Sequence, residues 1–332
     1  MARRHIQDMF QFIVNHKRSY LSWWIILITS MLSLQHSYCQ DEISRYDNLL
    51  NPWVLNPAFT GSKNNSFNFY ANKQWLGFKG APSFFGFHID GRFAPYDFYS
   101  NRMLLNKTRY KSLGRVGMGA ALVSDRNGPF TYSGLKLNYS YHIQLNKNQL
   151  SFGLANDIEL YSIDESEMDP LLPNDPRIQG VKHSKIIYNP GLGVLYYNST
   201  FEIGLAINNI FKEGITLKHD FLEYPDNQTT FSFQTNYIFY PKMDFSFESG
   251  LCLSTHEFSD ILYDLSGGII YMDDYKFRVT YRSLGYIVVH AGMSIGRYNF
   301  VYGFSSPTSS LGKYIYGSHE ILLGIRFGYY VY

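Results

Sequence analysis

Cysteine is nearly absent, with Cys39 and Cys252 the only two in 332 residues. Cys39 stands at the foot of an N-terminal leader, so the mature chain keeps one thiol and can form neither an internal disulfide nor a Cys-rich metal site. Long apolar runs are missing too. Beyond the leader no stretch of about 18 apolar residues occurs, which excludes a helical membrane protein. Neither sign of charge dominates: 29 basic and 27 acidic residues give a net charge of +2. There is no basic tail or long basic run, so nothing suits the chain to nucleic acid. Catalytic constellations are also lacking. No His-Glu-x-x-His occurs, no serine is expected in a Gly-x-Ser-x-Gly turn, and His142, His290 and His319 fall on separate segments. A triad needs its base and nucleophile within reach of each other. These absences point away from an enzyme, a metal site or a cofactor.

What the chain does have is aromatic residues. There are 29 Tyr and 26 Phe, yet the mean hydropathy is only -0.20. A membrane barrel combines these properties, because it alternates lipid-facing and lumen-facing side chains and carries aromatics at both interfaces. The N-terminus has the three parts of a secretory signal over residues 1–39. Arg3, Arg4, Lys17 and Arg18 form a positive region, Leu21 to Leu34 is apolar, and Ser37 and Cys39 are the small residues before a cleavage site. Cleavage there starts the mature chain at Gln40. Tyr38, where a lipobox wants a small residue, disfavours a lipoprotein.

The main signal is strict alternation. From Leu135 to Leu145 the odd positions are Leu135, Leu137, Tyr139, Tyr141, Ile143 and Leu145, and the even ones are Lys136, Asn138, Ser140, His142 and Gln144. Only a strand with one apolar and one polar face reads this way. Similar segments predict about fourteen strands, near 66–75, 83–92, 114–125, 131–145, 150–162, 188–197, 200–210, 229–240, 243–255, 261–271, 275–282, 286–295, 297–305 and 317–331. Glycine is abundant on the inward phase (Gly117, Gly119, Gly204, Gly292, Gly324, Gly328), and the outward phase carries almost no charge. A soluble sandwich would show charge on its outer faces. The expected fold is therefore all-β, a transmembrane outer-membrane barrel of about fourteen antiparallel strands over residues 66–332, in a Gram-negative bacterium.

Links after even strands are tight, and several after odd strands are long: 163–187, 211–227 and 306–316. This asymmetry orients outer-membrane barrels, with short turns periplasmic and long loops outside. The basic link 93–113 is an exception on the periplasmic side. Residues 40–65 do not alternate and contain Asn51-Pro52 and Asn56-Pro57, which a ladder cannot accommodate. Their apolar content (Leu49, Leu50, Trp53, Val54, Leu55, Phe59) predicts burial, as a lumenal plug or a docking arm.

Five blocks, in order, resemble a known family. They are Gln40-Asp41 with Asn56-Pro57-Ala58-Phe59-Thr60-Gly61-Ser62; Lys73-Gln74-Trp75-Leu76-Gly77-Phe78-Lys79-Gly80-Ala81-Pro82; Gly117 to Pro129, including Asp125, Gly128 and Pro129, running into Tyr139-Ser140-Tyr141-His142; Pro190 to Tyr197; and Gly317-Ser318-His319-Glu320-Ile321. Together they resemble PorP/SprF-type membrane proteins of the type IX secretion and gliding-motility system of Bacteroidota. Asn72-Lys73 departs from the family's Arg before the Gln-Trp pair, and Phe59 from its commoner Tyr. The resemblance implies an outer-membrane barrel, embedded in outer-membrane lipid. Its partners would be a secreted surface adhesin or its C-terminal sorting domain, and periplasmic components of the secretion machine.

Charged residues on the inward phase are of both signs: Lys136, Lys276, Arg278, Arg282 and Arg326 against Asp157, Glu159, Glu202, Asp244, Glu248 and Asp264. A selective pore shows one sign, so the mixture predicts cross-lumen ion pairs and a closed interior. Asp125 to Pro129 and Gly80 to Pro82 are turn chemistry first. The His319-Glu320 pair reads as structural. The candidate partner site is the loop after the fifth strand, acidic at its start (Asp164, Glu165, Glu167, Asp169) and basic at its end (Arg177, Lys182, Lys185). The leading function is export or anchoring of a secreted surface adhesin. The alternatives are a FadL-like or porin-like channel for small or hydrophobic solutes and an outer-membrane hydrolase. The outward phase carries a direct test: Arg at Leu137 or Tyr139 should cost about 2–4 kcal/mol near the bilayer midplane, and Arg at Asn138 much less. Folding titrations into bilayers measure this, and equal tolerance would reverse the assigned phase.

Overall fold

The computed structural model describes residues 51–63, 65–93, 114–164, 183–211, 215–219, 228–240, 244–256 and 260–327. Two short helical turns open it, α1 (Pro52–Leu55) and a 3-10 turn (Pro57–Phe59). Fifteen strands follow: β1 (Ser66–Lys73), β2 (Ser83–Phe93), β3 (Val116–Asn127), β4 (Phe130–Leu145), β5 (Asn148–Ile163), β6 (His183–Tyr197), β7 (Phe201–Asn208), β8 (Ile215–His219), β9 (Thr230–Phe239), β10 (Phe245–His256), β11 (Asp260–Tyr271), β12 (Tyr275–Arg282), β13 (Tyr286–Ile295), β14 (Tyr298–Pro307) and β15 (Ser318–Arg326). Each strand pairs antiparallel with its neighbour in the wall, β1 pairs with β15, and pairing of β5 with β6 completes the ring. β7 and β8 lie end to end along β6, so the ring is a closed barrel of fourteen strands. The fourteen spans expected from alternation coincide with the fourteen ring positions.

A first correction concerns a loop. The link 211–227 was expected to be loop, but it contains β8. Pro190 in β6 explains the break. It has no N–H to donate to a neighbour, and the β7 ladder on β6 stops at Leu192↔Ile207, two residues short of it. Asn189 takes over, its Oδ1 accepting from Phe211 N at 3.3 Å and its Nδ2 donating to Phe211 O at 3.2 Å. Pairing then resumes at Tyr188↔Ile215, with a register shift at Ile186/Ile187.

The phase is as expected. On β4, Leu137 and Tyr139 are 42% and 41% exposed, whereas Lys136 and Asn138 are each 8% exposed. β5 repeats this with Phe152, Leu154, Ile158 and Leu160 outward and Ser151, Ala155, Asp157 and Glu159 buried. The tight links at one end use left-handed or Asx geometry. Asn146, Met272, Asp273 and Gly296 have positive φ, and Asn198 Oδ1 accepts from Thr200 N and Phe201 N. The longer links lie at the opposite end, as do the short links 128–129 and 283–285. The basic link after β2 falls at the tight-turn end and, apart from Phe93, outside the described residues.

Three ion pairs among the charged inward residues run along the wall. Lys136 meets Asp157 at 2.5 Å on the adjacent strand, Arg282 meets Asp264 at 3.7 Å on an adjacent strand, and Arg278 reaches Glu248 at 2.6 Å two strands away. Asp244 is exposed in the turn just before β10. Asn138 also differs from expectation. Its Nδ2 donates to Trp53 O at 3.4 Å, so Arg at this site displaces a packed neighbour and is not a neutral comparison.

Candidate functional site

Residues 51–62 lie against the inner wall. Each Asn-Pro step begins a helical turn, with Pro at the first position, where its missing N–H costs nothing. Asn56 is wholly buried, and its Oδ1 caps the 3-10 turn by accepting from Ala58 N at 3.0 Å. Its Nδ2 donates to the Val194 and Leu205 carbonyls at 3.2 and 3.4 Å. Asn208 Nδ2 donates to Leu55 O at 2.6 Å, satisfying the end of α1. Trp53 stacks on His88 at 3.8 Å between ring centroids. Ala58 and Phe59 pack with Leu195 and Tyr197.

Glycines permit this approach. A Cβ on Gly153 would overlap the Pro57–Ala58 backbone, one on Gly193 would overlap Asn56 Oδ1, and one on Gly204 would lie 2.6 Å from Asn56 Nδ2. On β3, a Cβ on Gly117 would come within 2.5 Å of Thr60 O. Gly61 ends the segment at φ +67, a conformation that favours glycine, and its N–H donates to Asp90 Oδ2 at 2.9 Å. Ser66 Oγ donates to the other oxygen of Asp90.

The buried Thr60 carbonyl anchors a polar network. Ser140 Oγ donates to it at 2.6 Å, and His142 Nε2 lies 3.0 Å from both Thr60 O and Ser140 Oγ. His142 Nδ1 is 3.0 Å from Tyr197 OH, and Arg92 Nη1 donates to Tyr197 OH and Gln149 Oε1 at 3.1 and 2.6 Å. Lys63, just past the segment, pairs with Glu202 at 3.2 Å.

The remaining motif residues form a collar at the long-link end. Residues 74–82 join β1 to β2 and hydrogen-bond to both flanking turns. Gly128 N donates to Gly80 O at 3.2 Å, Leu76 N to Gly317 O at 2.8 Å, and Tyr316 N to Leu76 O at 2.9 Å. Trp75, at φ +47, donates through its ring N–H to Tyr286 OH at 3.0 Å and through its backbone to Ser318 Oγ. Gln74 N donates to Pro82 O, and Asp164 N to Pro129 O. Asp125 is buried at the collar end of β3. Glu320 and His319 point to opposite faces. Glu320 is lumenal, accepts from Tyr70 OH and pairs with His290 Nε2, whereas His319 Nδ1 lies 2.7 Å from Tyr302 OH on the outer face.

Of the candidate partner residues, Asp164 is exposed and Lys185 sits in β6 opposite Tyr161. Glu165, Glu167, Asp169, Arg177 and Lys182 fall outside the described residues, as do the expected leader 1–39 and residues 40–50. The spacing Gly-x-Ser-x-Gly does occur, at Gly292 to Gly296. Ser294 there lies within β13, paired with Asn299, and not in a strand-to-helix turn. The glycine seat was not anticipated. Its signal was the inward phase of Gly117, Gly119 and Gly204, which a reading of barrel phase alone left without a partner.

A closed antiparallel ring with an apolar outer face, a polar inner face and its own chain seated inside is a membrane β-barrel of the outer-membrane kind. The model of the type IX secretion system membrane protein PorP/SprF family matches residues 39–325, and the chain belongs to that family. No curated protein matches it. Among solved structures it is similar to the Ralstonia pickettii toluene transporter TbuX (10% identity, 82% of this chain and 92% of that one, TM-score 0.47). It is also similar to a Pseudomonas aeruginosa FadL homologue (10% identity, 82% and 93%, TM-score 0.46). Those scores are too low to carry over pore or cargo.

Overpacking a tight site costs about 1–3 kcal/mol. Gly153→Ala should therefore destabilise the barrel by about that much and expose residues 51–62 to protease. Gly267→Ala, whose Cβ would meet nothing within 4 Å, should do neither. Urea titration and limited proteolysis of the two variants provide the measurement.

Proposed function

We propose that this barrel is a non-catalytic outer-membrane component of the type IX secretion machine that helps export, or anchors at the surface, one secreted adhesin. The observation that carries this reading is the seated segment. A barrel that spends its inner wall on its own chain, with Asn56, Ala58 and Thr60 fully buried against β3 to β7, is built for holding rather than for bulk diffusion. Residues 40–65 then act as the plug. Ion pairing along the wall agrees with a closed interior, since it leaves no ring of one sign.

The non-catalytic reading is supported by the most reactive-looking contact. Ser140 and His142 are 3.0 Å apart but fully buried, and the serine hydroxyl is committed to the Thr60 carbonyl. The adhesin, through its C-terminal sorting domain, would engage the long-link end, and periplasmic components the tight-turn end. The charge split from Asp164 to Lys185 would steer that docking.

Deleting residues 40–61 should open an ion conductance in planar bilayers that the intact protein lacks. Equal conductance in both forms would defeat the plug, and a conducting intact protein would favour the channel reading. Separately, shortening 164–185 should leave the barrel inserted while lowering the amount of one large protein held at the cell surface. A whole-cell surface proteome, normalised to the barrel present, reads this out. An unchanged proteome would remove the loop from the partner site.

A further inference from the structure

The outer face of β15, β1 and β2 changes character abruptly near the collar. In antiparallel pairs, directly opposed residues share a face, so the outward rungs can be read across the wall. Three rungs are apolar or aromatic: Ile89–Phe67–Ile325, Phe87–Phe69–Leu323 and Phe85–Ala71–Ile321. The next rung towards the collar is Ser83–Lys73–His319, flanked on β14 by Phe304. Lys73 and His319 are therefore neighbours on the outside of the barrel, where its apolar belt ends.

The two turns above them continue the pattern. Residues 74–82 and 308–317 contain Lys79 and Lys313 and no Asp or Glu. They expose Phe78, Tyr314 and Tyr316, the last two at 75% and 78%. Backbone hydrogen bonds between Leu76 and both Tyr316 and Gly317 hold the two turns together. Aromatic rings and lysines at the end of an apolar belt belong at the headgroup level of a bilayer. Here they are organised. Lys73 Nζ gives one of its donors to Ala81 O at 3.1 Å, tying the side chain to the turn and leaving two donors. His319 is held by Tyr302 OH and by an edge-on contact with Phe304 at 5.3 Å.

We propose that Lys73 and His319, with Lys79 and Lys313 above them, bind the phosphate of an anionic membrane lipid whose acyl chains lie along the aromatic rungs below. Charge selects the headgroup, since the two turns and the rung below them carry Lys73, Lys79 and Lys313 and no Asp or Glu, and the continuous apolar rungs select a lipid over a soluble anion or an acidic peptide. The site is independent of which protein the barrel serves and depends only on the outward face being lipid-facing.

The test uses the full chain purified in a neutral detergent and native mass spectrometry with phosphatidylglycerol, with diacylglycerol as the phosphate-free probe. Phosphatidylglycerol should bind and diacylglycerol should not. The variant Lys73→Gln/His319→Gln/Lys313→Gln should lower phosphatidylglycerol affinity roughly tenfold or more. Lys147→Gln, in the exposed tight turn at the opposite end, should leave it unchanged. Lys73→Arg should retain binding that Lys73→Gln weakens, and this pair decides the question if the triple variant does not fold. Undiminished binding by the variants, equal binding of diacylglycerol, or displacement of the lipid by equimolar inorganic phosphate would each overturn the proposal.

Discussion

In the hydrocarbon core of a bilayer no water is available to an unpaired backbone N–H or C=O, and each one left unsatisfied costs several kcal/mol. Closure of the ring by β5 on β6 and β1 on β15 meets that constraint, and much else follows from it. A closed wall has no edge to pair with another chain. It also fixes which side chains face lipid, because each strand's register holds its neighbour's. Pro190 is where the constraint is under strain, lacking a donor in the middle of a wall strand. The response is local: β7 ends, Asn189 supplies an amide to Phe211, and β8 continues the wall one segment later.

The interior depends on the same wall in a different way. With the backbone committed to ladders, the seated segment can approach it only where side chains are missing or where they offer hydrogen bonds. Gly153, Gly193 and Gly204 give the space, and Asn208, Ser140 and Asp90 give the bonds. The seat is thus spread over β2 to β7, six consecutive strands of the wall.

Most of the wall was legible in the sequence, and the reason is geometric. Side chains alternate faces along a strand, so Leu135 to Leu145 carries its own phase whatever it pairs with. Turn chemistry is similarly local: Asn146, Gly296 and the block Gly80 to Pro82 announce their bends without reference to distant residues. The two Asn-Pro steps excluded residues 51–62 from the ladder on the same grounds. Sequence reading stumbled where pairing is non-local. Alternation could not place Ile215 to His219 in the wall, because that short strand exists only as the continuation of β7 along β6. Nor could it choose partners for the lumenal charges, three pairs of which run along the wall while Glu202 meets Lys63 just past the seated segment.

By itself, then, the sequence determined the fold class, the strand count, the inward and outward faces and the non-strand character of the N-terminal segment, all of them consequences of local periodicity and backbone chemistry. Only the tertiary structure decided which glycines receive that segment, that Glu320 joins Tyr70 and His290 while His319 faces outward beside Lys73, and that scattered motif residues meet in one collar. Those are matters of ring closure, which brings residues tens or hundreds of positions apart within hydrogen-bonding distance, and no pattern with a period of two records them.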